Sequence, residues 1–240
     1  RPYYLSYTLG RYRSFEVRAS LGGIVNAYET PWNSQGAVQM FLGNDDHNND
    51  FIYGFAAAQL PMPADIDYDV LRRNYWMGSD IMYKWSLQAA NMKESYLKAN
   101  PRKPEEADLK DRQRVEPVTR IENAKNAYSV DLPSLENVAK ELSAIFKEYK
   151  DIFNSSVTIS GSDIEIYKMT TDSVILKEPM RYTNLYASAY VVTEDGIRID
   201  DAYSILVARP EDLPSIEDLK KGVKAFAENL IKLKDAPVIT

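Results

Sequence analysis

Two of the side chains that most often perform chemistry in proteins, those of cysteine and histidine, are scarce in this sequence. Its 240 residues include no cysteine and a single histidine, His47. The lack of cysteine excludes thiol nucleophiles, disulfides and thiolate metal sites. One histidine also argues against a catalytic zinc site, which takes about three protein ligands, and against a serine hydrolase, whose nucleophile needs a histidine base. We therefore assign no catalytic, cofactor-binding or metal-binding residue to this chain.

One loop carries side chains that could contact a cation. Residues 44–50 read Asn-Asp-Asp-His-Asn-Asn-Asp, a run of carboxylate and amide oxygens. The spacing lacks the glycine and the closing glutamate of a calcium-binding loop, and Asn and Asp favour turns without any ligand. We expect a plain loop, with a cation or substrate contact as the alternative.

The composition indicates a globular protein. Hydrophobic residues at 45% and charged residues at 27% are ordinary values. The net charge of −6 argues against a nucleic-acid or anionic membrane partner. The uncharged run 54–64 is too short to span a bilayer. A hydrolase built on two carboxylates is disfavoured, because nearly all acidic residues fall in predicted loops, helix caps or solvated helix faces.

The first forty residues alternate between apolar and polar side chains, which is typical of strands. We predict turns at Gly10 and at Gly22-Gly23, and an end at Gly43. The pattern predicts an antiparallel meander with one solvated face. Its four runs are 3–7, 12–19, 24–28 and 37–42.

After Asp67 the apolar spacing becomes that of a helix, which we place at about 68–97. Asp67 and Asp69 lie at its positive end and Lys98 at its negative end, as the helix dipole prefers. We expect its apolar seam to pack in the core, with a coiled-coil or dimer face as the alternative. Small residues in the seam would let another backbone approach closely. The seam is formed by Leu71, Tyr75, Gly78, Met82, Trp85, Ala89, Met92 and Tyr96.

The second half of the chain follows a charged, proline-bracketed linker at 100–116. A six-residue pattern, Asp-Leu-Pro-Ser-Leu/Ile-Glu, occurs at 131–136 and again at 212–217. It predicts the start of two shorter helices, at about 134–149 and 215–234, with Ser134 and Ser215 as the N-caps. Strand-like runs separate these helices, and Asp195-Gly196 is a hairpin signal. The runs are 156–169, 173–179, 182–193 and 197–208.

These elements predict an α+β fold in which antiparallel sheet packs with one long helix and two shorter ones. A division into two lobes, 1–99 and 117–240, is open at this point.

Seven stretches, in this order along the chain, carry a resemblance to a known family. They are 1–7 (RPYYLSY), 68–80 (YDVLRRNYWMGSD), 83–84 (YK), 116–117 (EP), 155–157 (SSV), 171–173 (TDS) and 209–215 (RPEDLPS). Together they resemble the N-terminal half of the TldD/PmbA family, also known as modulators of DNA gyrase. Residues 39–43 and 48–51 depart from the family pattern.

The resemblance implies a link to peptide cleavage, because family members are metallopeptidases. Their zinc motif, His-Glu-x-x-x-His, lies in the half that follows, and no residue here matches it. Zinc is therefore expected only in that absent C-terminal half, and no ligand or catalytic residue is carried over. The implied partners are that half, a homo- or hetero-dimer partner and a peptide substrate, with no nucleic acid and no membrane.

Two functional hypotheses follow. The first is a non-catalytic N-terminal domain, spanning 1–240, that helps to form the substrate cleft or dimer interface of a zinc-dependent peptidase. The alternative is a stand-alone binding or structural module without protease activity. The chain begins with Arg1-Pro2, so we expect an excised or processed piece. Both a cytoplasmic location, as in the family, and export with a removed signal peptide stay open.

Overall fold

The computed structural model describes residues 2–42, 54–62, 67–100, 115–124 and 129–236, within which eight strands combine with three α-helices. The predicted α+β class is confirmed. The helices are α1 (Tyr68–Ala99), α2 (Leu132–Ala144) and α3 (Ile216–Lys234), and a 3-10 turn, Ile145–Glu148, extends α2. None of the described helices is both long and apolar enough to cross a membrane. The strands are β1 (Pro2–Ser20), β2 (Gly23–Glu29), β3 (Asn33–Leu42), β4 (Gly54–Pro61), β5 (Val118–Ile121), β6 (Phe153–Thr170), β7 (Val174–Val192) and β8 (Arg198–Val207).

The strands follow the order β4-β3-β1-β6-β7-β5, with β2 paired to β1 and β8 paired to β7. Strand β1 is antiparallel to both of its partners in the first half of the chain. Its residues 2–12 pair with β3 and its residues 15–20 pair with β2. The predicted meander is therefore replaced by one long strand that changes partner. The pair β5–β7 is parallel, and β5 is a short strand that the sequence did not predict.

Two predicted breaks in strands are wrong. Gly10 lies inside β1, opposite Gln35, because an extended glycine continues a strand as any residue does. Pro179 lies inside β7, between the stretch that pairs with β5 and the stretch that pairs with β8. Pro179 is paired with neither β5 nor β8, so its missing N–H removes no hydrogen bond to either strand.

The turns between β1 and β2 and between β7 and β8 have left-handed backbone conformations. Leu21 and Gly22 have φ of +46° and +72°, so the first turn lies one residue before the predicted Gly22-Gly23. Two successive residues with positive φ form the kind of tight turn that matches the twist of antiparallel strands. The predicted turn at Asp195-Gly196 is confirmed, with Gly196 at φ +83°.

The described residues form two compact units whose parts alternate along the chain. The first comprises residues 2–12, 32–42, 54–62, 67–100, 115–124 and 164–180; the second comprises 13–31, 129–163 and 181–236. Strands β1, β6 and β7 contribute a stretch to each unit. The units therefore do not coincide with the contiguous lobes 1–99 and 117–240.

The core of the first unit lies between α1 and strands β3 and β4. Alternate residues of β3, including Val38 and Met40, are buried and meet Met82 of α1. A Cβ at Gly78 would lie 2.7 Å from Cδ1 of Leu60, so this glycine makes room for a side chain of β4, where the sequence predicted another backbone. The buried Ser86 of α1 donates to the carbonyl of Met40 at 3.4 Å.

In the second unit, α2 and α3 cover one face of the sheet with a larger apolar core. Phe146 and Phe226 meet edge to face at 6.0 Å, and Val17, Ile159 and Leu185 are fully buried beneath the helices. This burial, at about 1.5–3 kcal/mol per large side chain, is the main stabilising term of the unit.

One buried carboxylate belongs to the second unit. Asp163 is 3% exposed, and it accepts hydrogen bonds from Arg181 at 2.8 Å and from Arg13 at 3.4 Å. A buried carboxylate that is paired twice is stable only while both guanidinium groups remain in place. These ion pairs hold β1, β6 and β7 in register within the unit.

Candidate functional site

The seam predicted for α1 leaves the core halfway along the helix. Gly78 and Met82 are buried, whereas Trp85, Met92 and Tyr96 are 52%, 66% and 64% exposed. The seam repeats every 3.5 residues and an α-helix turns every 3.6, so a straight helix rotates such a seam by about 20° per heptad. Core packing therefore holds for the first half of the seam, and the large side chains of the second half are exposed.

A groove with a volume of about 650 Å³ runs along the first half of α1. Leu5 and Met40 of the sheet form part of its lining, and Trp76 and Tyr83 of α1 form another part. Trp76 is 77% exposed. Exposed aromatic side chains beside a groove are typical of surfaces that bind another polypeptide.

A second groove, of about 370 Å³, lies in the second unit and is polar. It is lined by strand residues that point away from the helices. Among them are Arg18, Ser156, Tyr186, Ser188, Tyr190 and Asp200.

Three side chains form a stack at one end of this polar groove. The rings of Phe153 and Tyr190 are stacked at 5.9 Å, and the guanidinium of Arg198 lies 4.0 Å from the centroid of Tyr190. Asp200 accepts hydrogen bonds from Arg198, one of them at 2.9 Å. This hydrogen bond is the main cause that raises the pKa of the Arg198 guanidinium. The stack is therefore held in place before any ligand binds.

The rest of the polar groove offers hydrogen-bonding groups. Ser156 and Ser188 hydroxyls lie 3.3 Å apart, and Asn154 holds a left-handed conformation with φ +44°. Arg18 is exposed, and it forms no ion pair with the residues that the structure describes. The groove thus presents hydroxyls and one available positive charge, which suits recognition of a polar ligand.

The described residues include no candidate metal site. Among them, no three His, Cys, Asp or Glu side chains come close enough to hold a metal ion. A zinc ion therefore does not fit the part of the chain that the structure describes. The loop 44–50, with His47, and the arginines of the linker at 102–114 lie outside the described residues.

Sequence reasoning did not identify the polar groove. Its residues come from four strands, β1, β6, β7 and β8, and their only local signal is polar side chains at alternate positions. Of the stretches that carried the family resemblance, 155–157 contributes Ser156 to the groove. The seam residues of α1 were identified, but their exposure beyond Met82 was not.

Comparisons with known proteins match the chain by structure alone. No model of a protein family and no curated protein matches the sequence. A protein named as a modulator of DNA gyrase from Thermotoga maritima superimposes with a TM-score of 0.57 at 13% identity, over 99% of this chain and 46% of its own. One from Bacteroides thetaiotaomicron gives 0.53 at 12% identity, over 96% and 46%. TldE from Thermococcus kodakarensis gives 0.51 at 13% identity, over 95% and 44%.

The fold is therefore that of the modulators of DNA gyrase, which is the TldD/PmbA fold that the sequence resemblance implied. The chain spans a little under half the length of each of these solved structures. At 12–13% identity the likeness is one of fold.

Proposed function

We propose that this chain is the non-catalytic N-terminal domain of a TldD/PmbA-like, zinc-dependent peptidase, in which it helps to form the substrate cleft or a dimer interface. One observation carries the proposal. Almost the whole chain, 95–99%, matches less than half of each related structure, so the fold is that of one part of a larger protein. The order of the seven sequence stretches supports the N-terminal part.

The surfaces of the two units support a role in binding. The polar groove of the second unit offers hydroxyls and the Arg18 guanidinium, which can hydrogen-bond the backbone and carboxylates of a peptide. The exposed side chains of α1 offer apolar area for another polypeptide. The partners of this proposal are the C-terminal metallopeptidase half, a dimer partner and a peptide substrate. The net charge of −6 disfavours nucleic acid and anionic membrane.

The first test is to read the open reading frame beyond Thr240. A His-Glu-x-x-x-His motif within the next few dozen residues supports the proposal. A stop codon at that point contradicts it and supports the alternative, a stand-alone binding or structural module.

The second test compares the intact parent protein with residues 1–240 alone. Zinc content is measured by elemental analysis, and cleavage is followed on an unstructured peptide. We expect zinc and turnover in the parent and neither in the shorter chain. Stoichiometric zinc with turnover in residues 1–240 alone would refute the assignment, as would a parent that binds no zinc.

A third test addresses the polar groove in the intact parent. If Arg18 binds substrate equally in the ground and transition states, Arg18→Gln raises KM about fivefold, equivalent to the loss of a ~1 kcal/mol hydrogen bond, and leaves kcat unchanged. Lys224→Gln on α3 removes a charge outside the groove and serves as the matched control. Equal KM values for the two variants would remove the groove from the substrate path.

A further inference from the structure

The polar groove of the second unit lies on the face of the sheet that the helices leave open. In the β7–β8 pair, Ser188 is opposite Ala202 and Tyr190 is opposite Asp200, and all four residues line the groove. Residues directly opposite each other on neighbouring strands point to the same face of a sheet. Val191, the next residue along β7, is fully buried in the core beneath the helices. The groove side chains therefore form a surface on the opposite face.

The charges on this open face do not balance. Among the described residues that line the groove, Arg198 pairs with Asp200, whereas Arg18 has no negative partner. Asp201 is opposite Ala189, a residue of the core, so its carboxylate belongs to the other face. The open face therefore has an excess of one positive charge, which attracts an anionic ligand.

The serine pair adds a hydroxyl hydrogen that has no acceptor within the described part of the chain. The Oγ atoms of Ser156 and Ser188 lie 3.3 Å apart, and either can be the donor. Each serine has one hydroxyl hydrogen, so one of the two makes this contact and the other is left over. Ser156 is buried and Ser188 is partly buried, so the pair is partly shielded from the water that would otherwise accept this hydrogen. An acceptor oxygen of a ligand would satisfy it.

Arg18 lies beside the serine pair in the sheet. Strand β6 is the neighbour of both β1 and β7. The Ser20 hydroxyl donates to the Ser155 carbonyl at 2.7 Å, which aligns the end of β1 with the start of β6. Arg18 and Ser156 both line the groove near this point. Because adjacent strands are about 4.8 Å apart, a guanidinium and a hydroxyl on neighbouring strands can contact the same ligand group.

These donors favour a carboxylate over a phosphate. One guanidinium balances the single charge of a carboxylate and can hold its two oxygens with two parallel hydrogen bonds. A phosphate group carries close to two negative charges at neutral pH, of which Arg18 would balance one, with the Asp200 carboxylate in the same groove. Tyr186, which is 43% exposed, offers a ring to the part of a ligand that adjoins the carboxylate.

We propose that the polar groove binds the carboxylate of a peptide, with the Arg18 guanidinium and the Ser156–Ser188 hydroxyl pair as its donors. This inference rests on the peptide-binding role proposed above and names the group that is recognised. Both the C-terminus of a peptide and an acidic side chain supply a carboxylate, and the experiment separates these two sources.

Binding of three labelled peptides to the 240-residue chain tests the proposal by fluorescence anisotropy. All three have the same length and the same uncharged fluorophore at the N-terminus. The first ends in a free carboxylate, the second ends in an amide, and the third ends in an amide and contains one internal glutamate. We expect a carboxylate to lower the dissociation constant about fivefold relative to the plain amide, which is typical of one hydrogen bond. Equal constants for all three peptides, or no binding of any, would overturn the proposal.

The pattern among the peptides identifies the source of the carboxylate. Tighter binding of the first peptide alone identifies the C-terminus, and tighter binding of the third alone identifies an acidic side chain. Tighter binding of both shows that the groove accepts either. Acetate and inorganic phosphate, compared at equal ionic strength, then compete with the tighter peptide. We expect acetate to displace it at the lower concentration, and the reverse order would overturn the choice of a carboxylate.

Substitution of Arg18 tests the residue. We expect Arg18→Gln to abolish the preference for a carboxylate and to leave the dissociation constant of the plain amide unchanged, which a merely structural role would not do. Arg18→Lys keeps the charge and should keep part of the preference. Lys224→Gln on α3 is the matched control and should keep all of it, and circular dichroism checks that the variants fold. A full preference in Arg18→Gln would overturn the assignment.

The outcome is separate from that of the peptidase assignment. The binding assay needs neither zinc nor turnover, whereas the peptidase assignment is decided by the reading frame and by the zinc content of the parent. Equal binding of acid and amide peptides would therefore remove the carboxylate site and leave the peptidase assignment standing. A parent without zinc would refute the peptidase and leave a measured preference for carboxylates intact.

Discussion

At the residue scale, backbone conformation separates the glycines that a fold needs from those that it merely contains. Gly196 has φ +83° in the β7–β8 turn, and its N–H donates to the Thr193 carbonyl at 3.0 Å. A Cβ there would touch nothing within 4 Å. At Gly10, in the extended strand β1, the nearest atom to a Cβ would be the Gln35 carbonyl oxygen at 3.8 Å. Both positions have room, and only one has a left-handed backbone.

This contrast predicts different outcomes for the same substitution. We expect Gly196→Ala to lower the free energy of unfolding by about 1 kcal/mol, because an L-residue resists positive φ. Gly10→Ala should leave it unchanged or raise it by about 0.5 kcal/mol, because alanine restricts the unfolded chain. Urea denaturation measures both. Similar losses in the free energy of unfolding at the two positions would contradict the role of φ and show that steric contacts limit both substitutions.

Tyr75 is a residue whose titration reports on the packing of α1. Its hydroxyl donates to the Thr8 carbonyl, and its ring meets that of Tyr7 edge to face at 5.1 Å. Burial, and to a lesser degree the neighbouring Tyr7, raise the pKa of Tyr75 to about 12 from a usual value of 10.0. The folded state therefore holds this proton more tightly than the unfolded state does.

A raised pKa gives stability that is fully present below the unfolded pKa and is lost as pH rises through the folded one. Tyr75 should therefore make the free energy of unfolding fall between about pH 10 and pH 12, by at most about 1.4 kcal/mol per pH unit. We expect Tyr75→Phe to reduce this slope by up to about 1.4 kcal/mol per pH unit, which corresponds to one proton. Tyr68→Phe, at a tyrosine that is 72% exposed, should leave the slope unchanged. Identical slopes in both variants would contradict the assignment.

At the scale of elements, one sequence pattern starts two helices differently. In α2, Asp131 is the N-cap, and its carboxylate accepts from the Ser134 N–H at 3.2 Å. Ser134 lies inside the first turn, so its predicted role as the cap is wrong. In α3 the predicted cap is confirmed, because the Ser215 hydroxyl accepts from the Asp218 N–H at 3.2 Å.

The reason for this difference lies in the neighbours of the first aspartate. Asp212, which corresponds to Asp131, accepts a hydrogen bond from Arg209 at 3.1 Å and closes the 3-10 turn Pro210–Asp212. Its carboxylate therefore already accepts a hydrogen bond before the helix begins, and the serine three residues later acts as the N-cap. The Ser215 hydroxyl also donates to Asp218, and this bond is the main cause that lowers the pKa of that carboxyl.

These contacts predict which cap substitutions matter. We expect Ser215→Ala and Asp131→Ala to cost about 1 kcal/mol each in the free energy of unfolding, because each leaves a first-turn N–H without its acceptor. Ser134→Ala should change it by less than about 0.5 kcal/mol. The measurement is chemical denaturation of the three variants side by side. If Ser134→Ala lowered the free energy of unfolding as much as Ser215→Ala, the result would contradict Asp131 as the N-cap of α2 and support Ser134.

At the scale of the whole molecule, the two compact units share their longest strands. Residues 13–29, which include β2, belong to the second unit although they lie near the start of the chain. A cut in the linker at 100–116 therefore removes strands from the second unit as well as separating the helices. A boundary placed at a charged linker in the sequence need not match the boundary between compact units when one strand contributes residues to both units.

This arrangement predicts the behaviour of fragments. We expect neither residues 1–99 nor residues 117–240 to fold alone, because the second fragment loses the buried side chains Phe15 and Val17 of β1 from its core. Each loss of a large buried side chain costs about 2–5 kcal/mol, which approaches the whole stability of a domain. Circular dichroism and proton NMR of the fragments test this. A cooperative thermal transition in residues 117–240 would contradict it.

Local sequence patterns determine much of the secondary structure of this protein. The α+β class, the three helices and the turn at Gly196 all follow from periodicity and turn chemistry, which depend on neighbours a few residues apart. The single histidine and the absence of cysteine limit the chemistry whatever the fold. The order of the resembling stretches pointed to the fold that the solved structures share.

Tertiary structure alone decided which strands pair, which residue caps a helix and which surfaces are open. Arg18, Ser156 and Asp200 meet in one groove although they are far apart in the chain. The exposure of Trp85, at 52%, depends on which side of α1 packs on the sheet. Pairing, burial and capping are competitions between distant groups for the same hydrogen bonds and the same apolar area, so no short stretch of sequence holds the outcome.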